Sequence, residues 1–412
     1  MVARRGISRV RWALETAWAT DGTGTIGNFT DVRHDSVEYG RANPEMIDNM
    51  ILRPKRVLAA LAEPGKKNGT LTISGDLVAS GVAQDASTSA TKTNIAKIIE
   101  QIAGGYTAGA GATTTGSLVA SGASTTGITV TGTQGPRFQE GLIIWVETAS
   151  GSGLYQPTVI DTVSTDALTF AIALSFTPAV GAKVLNCLNL YETDQPTGTV
   201  QWLVEGEDRD NIFLYMGCQG SLGFTFEAGK PVKYTTQQMT TEYVHDDEIA
   251  TPQGGSAMSI WTPDGSTPVI WVKGSCVFAP AAATTRVTPS VAAFTFDPGI
   301  AWQEVTSVNG VETRGGFERV TGQPTATLLI PHSDETYKDA ISAQTVYRVL
   351  LAAGNTATKK IALHLPRVQI LSAVPQDRNG LDYDLVTVRC LANDGLTDQS
   401  TDLLRYPWGL GL

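Results

Sequence analysis

Charge is what this chain most lacks. Only 17% of its 412 residues are Asp, Glu, Lys or Arg, well below the usual quarter for a globular protein. Thr, Gly, Ala and Ser fill the deficit, as in a surface that hides against copies of itself. Cations are the scarcer kind, with a net charge of -10. Ordinary nucleic-acid binding, which needs cations to release counterions, is therefore not expected. Disorder is excluded too, because 42% of the residues are hydrophobic and the net charge is modest for the length. Nowhere do 18 apolar residues run together, so no membrane-crossing helix is expected. Arg4, Arg5, Arg9 and Arg11 near the N-terminus precede no long apolar run, so this stretch is not read as a secretory signal.

Reactive side chains are equally sparse. The four cysteines, Cys187, Cys218, Cys276 and Cys390, form no CxxC pair, which removes the zinc and redox signatures. Cys218 and Cys390 lie at apolar segments and read as small buried hydrophobes. The four histidines, His34, His245, His332 and His364, stand near acids in places, but none has the spacing that sets two ligands on one helix face. Gly22, Gly24 and Gly27 match GxGxxG without the strand before or the helix after that a dinucleotide site requires. No nucleophile elbow, phosphate loop or Cys/His pair appears. The expectation is a protein that is not an enzyme and carries no cofactor or metal.

What is present is alternation. Across 198–247, Gln219, Ser221, Gly223, Thr225 and Glu227 alternate with Leu222, Phe224 and Phe226, the mark of a strand with one buried and one wetted face. Gln201 and Glu205 alternate with Trp202 and Val204 just upstream. Between them, Asp210–Met216 reads as a short helix stopped by Gly217 and Gly220. In 69–80, Thr70, Thr72, Ser74 and Asp76 alternate with Leu71 and Ile73. Ile95, Ile98, Ile99 and Ile102 mark one face of a helix ending at Gly104.

Elsewhere the pattern breaks. Residues 31–67 contain Met46, Ile47, Met50, Ile51, Leu52, Val57, Leu58 and Leu61 without a settled period, and read as a long loop or arm that orders against a neighbour. Thr107–Thr126 is Gly/Ala/Thr/Ser-rich and reads as a linker. Five short strands then follow in Gly127–Cys187, a small all-β insert. Later come a hairpin turning at Asn309-Gly310, a short helix through Ala340 capped by Ser333 or Asp334, and three closing strands. The tail repeats the order expected of the central stretch: strand, short helix, strand, turn, long strand. The expected divisions are an arm (1–68), a core (69–110 and 191–280) interrupted by the linker and insert (111–190), and a C-terminal core (281–412), possible ground for a second related module.

In their order, GTLTISGDL, GSLGFTFEAGKPVKYTTQQMT, HSDETYKDAISA, IALHLPRVQIL and NGLDYDLVTVRCLAND resemble the tail tube (major tail) proteins of long-tailed bacteriophages. The likeness spans most of 31–400, apart from the insert. It implies a mainly β fold of tail-tube sandwich or barrel modules with short flanking helices. It implies rings that stack into a tube, the conduit for DNA ejection, in the virion tail after assembly in the host cytoplasm. Partners would be the chain itself, as a hexamer or a pseudo-six-fold trimer, other tail proteins, and DNA in transit without specific binding; no membrane is involved. Lumen-lining candidates are then Asp76, Thr72, Ser74, Gln201, Glu205, Ser221, Thr225 and Glu227. Inter-ring candidates are Met46, Ile47, Met50, Ile51, Leu52, Val57, Leu58 and Leu61. A baseplate or receptor-binding β protein, with Trp145 and Trp261 as candidate glycan aromatics, or a capsid-decoration protein is the alternative.

Overall fold

A computed structural model describes residues 8–14, 30–47, 50–53, 56–59, 63–79, 94–103, 106–107, 117–132, 134–186, 189–191, 198–204, 211–240, 242–245, 268–272, 274–311, 314–320, 322–332, 336–391 and 409–411. The chain is mainly β. Its first part carries β1 (Ser8–Leu14), β2 (Thr30–Val32), β3 (Ser36–Ile47), β4 (Met50–Arg53), β5 (Arg56–Ala59), β6 (Glu63–Asp76), α1 (Asn94–Ala103) and β7 (Tyr106–Thr107). Six strands follow as a separate body: β8 (Ser117–Ser121), β9 (Gly127–Val130), β10 (Ile143–Glu147), β11 (Tyr155–Ser164), β12 (Ala167–Phe170) and β13 (Lys183–Asn186). The chain then returns through β14 (Asn189–Tyr191), β15 (Gly198–Val204), β16 (Asn211–Glu227), β17 (Lys233–Thr240) and β18 (Glu242–His245). The last part holds β19 (Ser275–Pro280), β20 (Ala293–Asp297), β21 (Ala301–Val311), β22 (Arg314–Val320), β23 (Thr325–Pro331), α2 (Thr336–Ser342), β24 (Val346–Thr356), β25 (Lys359–Arg378), β26 (Leu381–Cys390) and β27 (Gly409–Gly411).

The strand pairing repeats. In the first unit the hydrogen-bonded order is β3-β6-β17-β16-β15-β1. In the second it is β20-β23-β26-β25-β24-β19. The chain visits equivalent strands in the same sequence. A hairpin, β4–β5 or β21–β22, lies between the first two strands of the sheet order. A helix follows the second, and packs on β16 in one unit and β25 in the other. A short strand, β18 or β27, pairs beside the opening half of that same long strand. The units differ in one large respect: the six-stranded body is inserted between α1 and β15, whereas Ser342 and Val346 bound a tight link in the second unit.

The link between units is a strand pair. β16 meets β20 antiparallel, with Phe224 opposite Phe296, Thr225 opposite Thr295, and Phe226 opposite Phe294. Eight strands therefore run on without a break, β3-β6-β17-β16-β20-β23-β26-β25. One core serves both units. Leu71, Ile73, Phe224, Phe226 and Tyr234 of the first meet Phe294, Phe296, Leu328, Val386 and Val388 of the second. The Phe224 and Phe296 rings stack at 6.4 Å, and Phe226 meets Phe294 edge-on at 5.9 Å. Ile95, Ile98, Ile99 and Ile102 are buried in the same core, as the helical spacing requires.

Three sequence expectations are corrected here. Residues 211–216 are the first half of β16 and not a helix. Paired with β15 on one side and β18 on the other, this half lacks the alternation that marks a one-sided strand. Gly217, at φ +63, is no helix stop but the site of a bulge. The register against β15 shifts there, and the buried side changes from Tyr215 to Cys218, Leu222, Phe224 and Phe226. A left-handed residue is what this kind of bulge demands, and glycine takes it without steric strain. Without that helix, the repeat of strand, helix and strand expected for the central stretch does not exist in that form.

Residues 31–67 are the second correction. Their described part is a long antiparallel ribbon, β3 against β6 with register shifts near Pro44, carrying the β4–β5 hairpin at its far end. Prolines and bulges hide the period of two. Third, Asn309-Gly310 lies within β21, so the hairpin reverses beyond it. The Asn-Gly pair that does turn is Asn379-Gly380, both at positive φ, joining β25 to β26 as a primed turn suits a two-residue hairpin.

The inserted body is a closed barrel, β10-β11-β12-β9-β8-β13. Its first strand, β8, falls in the stretch read as linker, where small residues leave no apolar run to notice. The strand β10 is buried on both faces. Ile144 and Val146 point into the barrel with Ile128, Ile160 and Phe170. Ile143 and Trp145 point out, onto Val277, Ala279, Leu350, Ala352 and Ala362 of β19, β24 and β25. Those three strands thus lie between two cores, which is why β24 reads as a nearly unbroken apolar run. Two partly buried arginines fasten the joint. Arg286 donates to the Pro157 carbonyl and the Ser275 hydroxyl, both at 3.1 Å, and Arg348 donates to the carbonyls of Ala171 and Ala281. No helix among the described residues is long and apolar enough to cross a membrane.

Candidate functional site

The side of the eight-stranded sheet away from the core is a polar wall. Directly paired residues share a face, so the register reads out its rows. Ser36, Ser74 and Thr235 lie in one row with Gly223. Glu38, Thr72, Gln237 and Ser221 form the next. Asp76, Lys233, Thr225, Thr295, Thr327, Thr387 and Ser372 cross both units in a third. Hydroxyls bond to one another along these rows: Ser36 with Ser74 at 2.6 Å, and Thr295 with Thr327 at 2.5 Å. In the second unit the wall also holds Leu385 and Val374, opposite each other.

Six of the eight candidates picked from alternation meet on this wall: Thr72, Ser74 and Asp76 from β6, and Ser221, Thr225 and Glu227 from β16. Gln201 does not join them. It sits on β15 opposite Leu214 and Arg11, beyond the Gly217 bulge. Glu205 lies outside the described residues. Of the arm candidates, Met46 and Ile47 end β3, Met50, Ile51 and Leu52 lie in β4, and Val57 and Leu58 lie in β5; Leu61 lies outside the described residues.

Several charges on the wall have partners. Glu227 accepts from Lys230 and from Arg378, each at 2.8 Å. The Lys230 hydrogen bond, helped by the charge of Arg378, holds its carboxyl below the ordinary range. Burial pushes Asp76 up, and the neighbouring Asp35 adds to that, against the pull of Lys233 and Arg33. Lys233 pairs with Asp35 at 2.9 Å, which raises its own pKa. Arg389 is held by the Gln369 amide oxygen. The wall is thus rich in hydroxyls with locally balanced charge, and not the plain acidic surface that Glu227 and Asp76 suggest alone.

Arg378 and Glu227 carry a geometric message as well. Their strands are separated by β26, β23 and β20. Neighbouring strands stand about 4.8 Å apart, so a flat sheet would hold strands four steps apart roughly 19 Å from one another. A contact at 2.8 Å means that this rim curls toward its polar side.

Other candidates resolve into structure. His332 Nδ1 meets the Asp384 carboxylate at 2.9 Å. His364 is fully buried and its pKa falls to about 3 through desolvation and the nearby Arg348, so it is neutral at pH 7. Trp145 is core at the barrel joint, not a surface aromatic, and Trp261 lies outside the described residues. Cys218, Cys276 and Cys390 are buried free thiols, and desolvation lifts Cys276 and Cys390 to about 12. An open cavity of about 860 Å³ separates barrel and sheet, lined by Gln156, Ser175, Trp271 and Arg286 among others; the Arg286 donors in it are engaged as described. No family model matches the chain, and no curated protein matches it significantly.

Proposed function

We propose that this protein is a structural subunit of a phage tail tube, and that the polar wall lines the channel through which DNA leaves. One observation carries the reading: an eight-stranded antiparallel sheet, built of two like four-stranded sets, buries one face in a core and offers a hydroxyl-rich wall on the other. A sheet of that kind either ends in open edges or closes with its copies into a barrel, which removes the edges. Three chains supply the six like sets that the six-fold shape of such tubes calls for.

The wall suits a conduit. DNA carries one negative charge per ~1.7 Å of axis, and unpaired cations would bind it at every step. Here Lys233, Arg378 and Arg389 are tied to Asp35, Glu227 and Gln369, leaving hydroxyls, amides and the carboxylates of Glu38 and Asp76 as the contact surface. The β4–β5 and β21–β22 hairpins extend from equivalent corners of the two units and are the natural contacts to the next ring.

Negative-stain microscopy of the purified protein tests this directly. Hollow tubes or stacked rings are expected. A protein that gives only compact particles at every salt concentration and protein concentration tried would overturn the proposal. Where tubes form, replacing Thr295, Thr327 and Thr387 with Lys is expected to leave them intact and to slow DNA release from virions carrying them. Unchanged ejection at low salt would remove the wall from the lumen.

A further inference from the structure

The chain contains one junction between like units and two edges left over from another. On β16, β15 pairs up to Cys218, and β20 takes the same side from Phe224 to Glu227. On β25, β24 pairs up to Gln369. Beyond it, among the described residues, 371–378 pair only with β26. The strand that would fill this vacancy is the equivalent of β20. That is β3, which pairs with β6 as β20 pairs with β23, and whose other side is unpaired among the described residues. Within the chain these two edges lie at opposite ends of the eight-stranded run and are not paired with each other among the described residues.

From this we infer that the 371–378 edge of β25 receives β3, near residues 36–40, of a second copy. The direction is right. β25 lies four antiparallel steps from β16, and β3 four steps from β20, so each runs parallel to its equivalent. The copy would thus arrive antiparallel, as β20 does on β16. Such a contact joins two different patches and propagates head to tail, closing into a ring when the rotation allows. The exposed residues fit an interface. Leu371 is 46% exposed at the bulge of β25, and Val374 is 54% exposed beside it. Pro375 can donate no hydrogen bond, but the in-chain junction spans only four residue pairs, and 371–374 contains no proline.

The two kinds of junction are unequal. The one inside the chain is covalently tethered and filled by Phe224, Phe226, Phe294 and Phe296. The open edges offer Val37, Leu371, Ala373 and Val374 instead. A ring would therefore alternate strong and weak seams, and come apart only at β25–β3, into whole chains. The seam follows from the repeat; its closure into a three-chain ring rests on the tube reading.

Leu371→Lys with Val374→Lys adds two buried charges to the seam and touches no core residue. The pair is expected to weaken self-association by about a hundredfold or more, measured by light scattering and native mass spectrometry, with unchanged circular dichroism. Bismaleimide coupling gives an independent check. Glu38→Cys mixed with Val374→Cys, both on the wall side, should yield a two-chain product that neither protein gives alone. Association of the lysine variant as in wild type, a product from Val374→Cys alone, or a wild-type chain that stays monomeric at high concentration would each overturn the seam. Cysteine variants that couple across 38 and 374 yet never form tubes would overturn the tube reading and leave the seam. Tubes without that product would do the reverse.

Discussion

The two units share a pairing order, with its hairpin, helix and short strand, and differ in much of the rest. The first turns its long strand at a glycine, Gly217 with φ +63, while the second shifts register at Leu371, which is not left-handed. The first carries a six-stranded barrel between helix and strand; the second does not. The wall of the first is Ser, Thr and Gln with a few charged residues, whereas the second admits Leu385 and Val374. The edge of the first is covered by β20, and that of the second stands open. Pairing order survives these differences because it depends on which strands bury one face, a pattern many residues satisfy. Edges and bulges vary because each answers a local need.

The sharpest break to this comparison is at the aromatic junction. Phe294→Ala removes a fully buried ring from the core that both units share. A loss of about 3–5 kcal/mol in urea unfolding is expected, with both units unfolding together. A loss under about 1 kcal/mol, or two separate transitions, would mean that the units are joined by the tether alone.

Removing the barrel is the next largest test. Excision of 117–186 with a short bridge strips the cover from Val277, Ala279, Leu350, Ala352 and Ala362 and leaves Arg348 without the Ala171 carbonyl. The remaining chain is expected to be destabilised and prone to aggregate, because an apolar patch of that kind does not stay bare in water. A soluble, equally stable remainder would show that the joint contributes nothing to the sheet.

The bulges give a smaller contrast. Gly217→Val puts a β-branched side chain at positive φ and is expected to cost about 1–3 kcal/mol. Leu371→Val, at an exposed residue without that backbone constraint, should stay within about 0.5 kcal/mol in the unassembled chain. Equal costs would mean that Gly217 is there for packing and not for its conformation.

These contrasts mark what the sequence makes legible. Alternation finds strands that are wet on one side: Thr72, Ser74 and Asp76 against Leu71 and Ile73 are read correctly, as are Ser221, Thr225 and Glu227 against the phenylalanines. The four isoleucines of α1 have no other good reading. Alternation fails where both sides are covered. Residues 211–216 are paired on two sides and mimic a short helix. β24 and β10 face two cores and show no phase. The ribbon of β3 and β6 is masked by prolines and register shifts, and β8 by small residues. Pairings such as Lys233 with Asp76 join residues far apart in the chain, and no local pattern names the partner. For the same reason the sequence suggests free carboxylates where Glu227 has Arg378, a partner that only the curl of the sheet brings near.

Those two carboxylates provide the finest test, because they face the same wall with opposite electrostatics. Glu227 has its pKa lowered by Lys230 and Arg378. Its contribution is present above the pKa of the unfolded chain and is lost as pH falls through its folded value. Asp76 has its pKa raised by burial and by Asp35. Its ionised form opposes folding at neutral pH, and protonation relieves that opposition. Glu227→Gln should therefore lower stability at pH 7 and Asp76→Asn should raise it. Each change should be no more than about 1 kcal/mol, since Lys230 is largely exposed and solvent screens such pairs. As pH falls, the Asp76 difference should shrink first, through a folded value above the ordinary Asp range, and the Glu227 difference later, through a folded value below the ordinary Glu range. Urea unfolding of the three proteins at pH 3, 5 and 7 reads the signs. If Asp76→Asn destabilises at pH 7, Lys233 and Arg33 outweigh burial at that site. The first unit's wall would then be held together by its charges as firmly as by its hydroxyls.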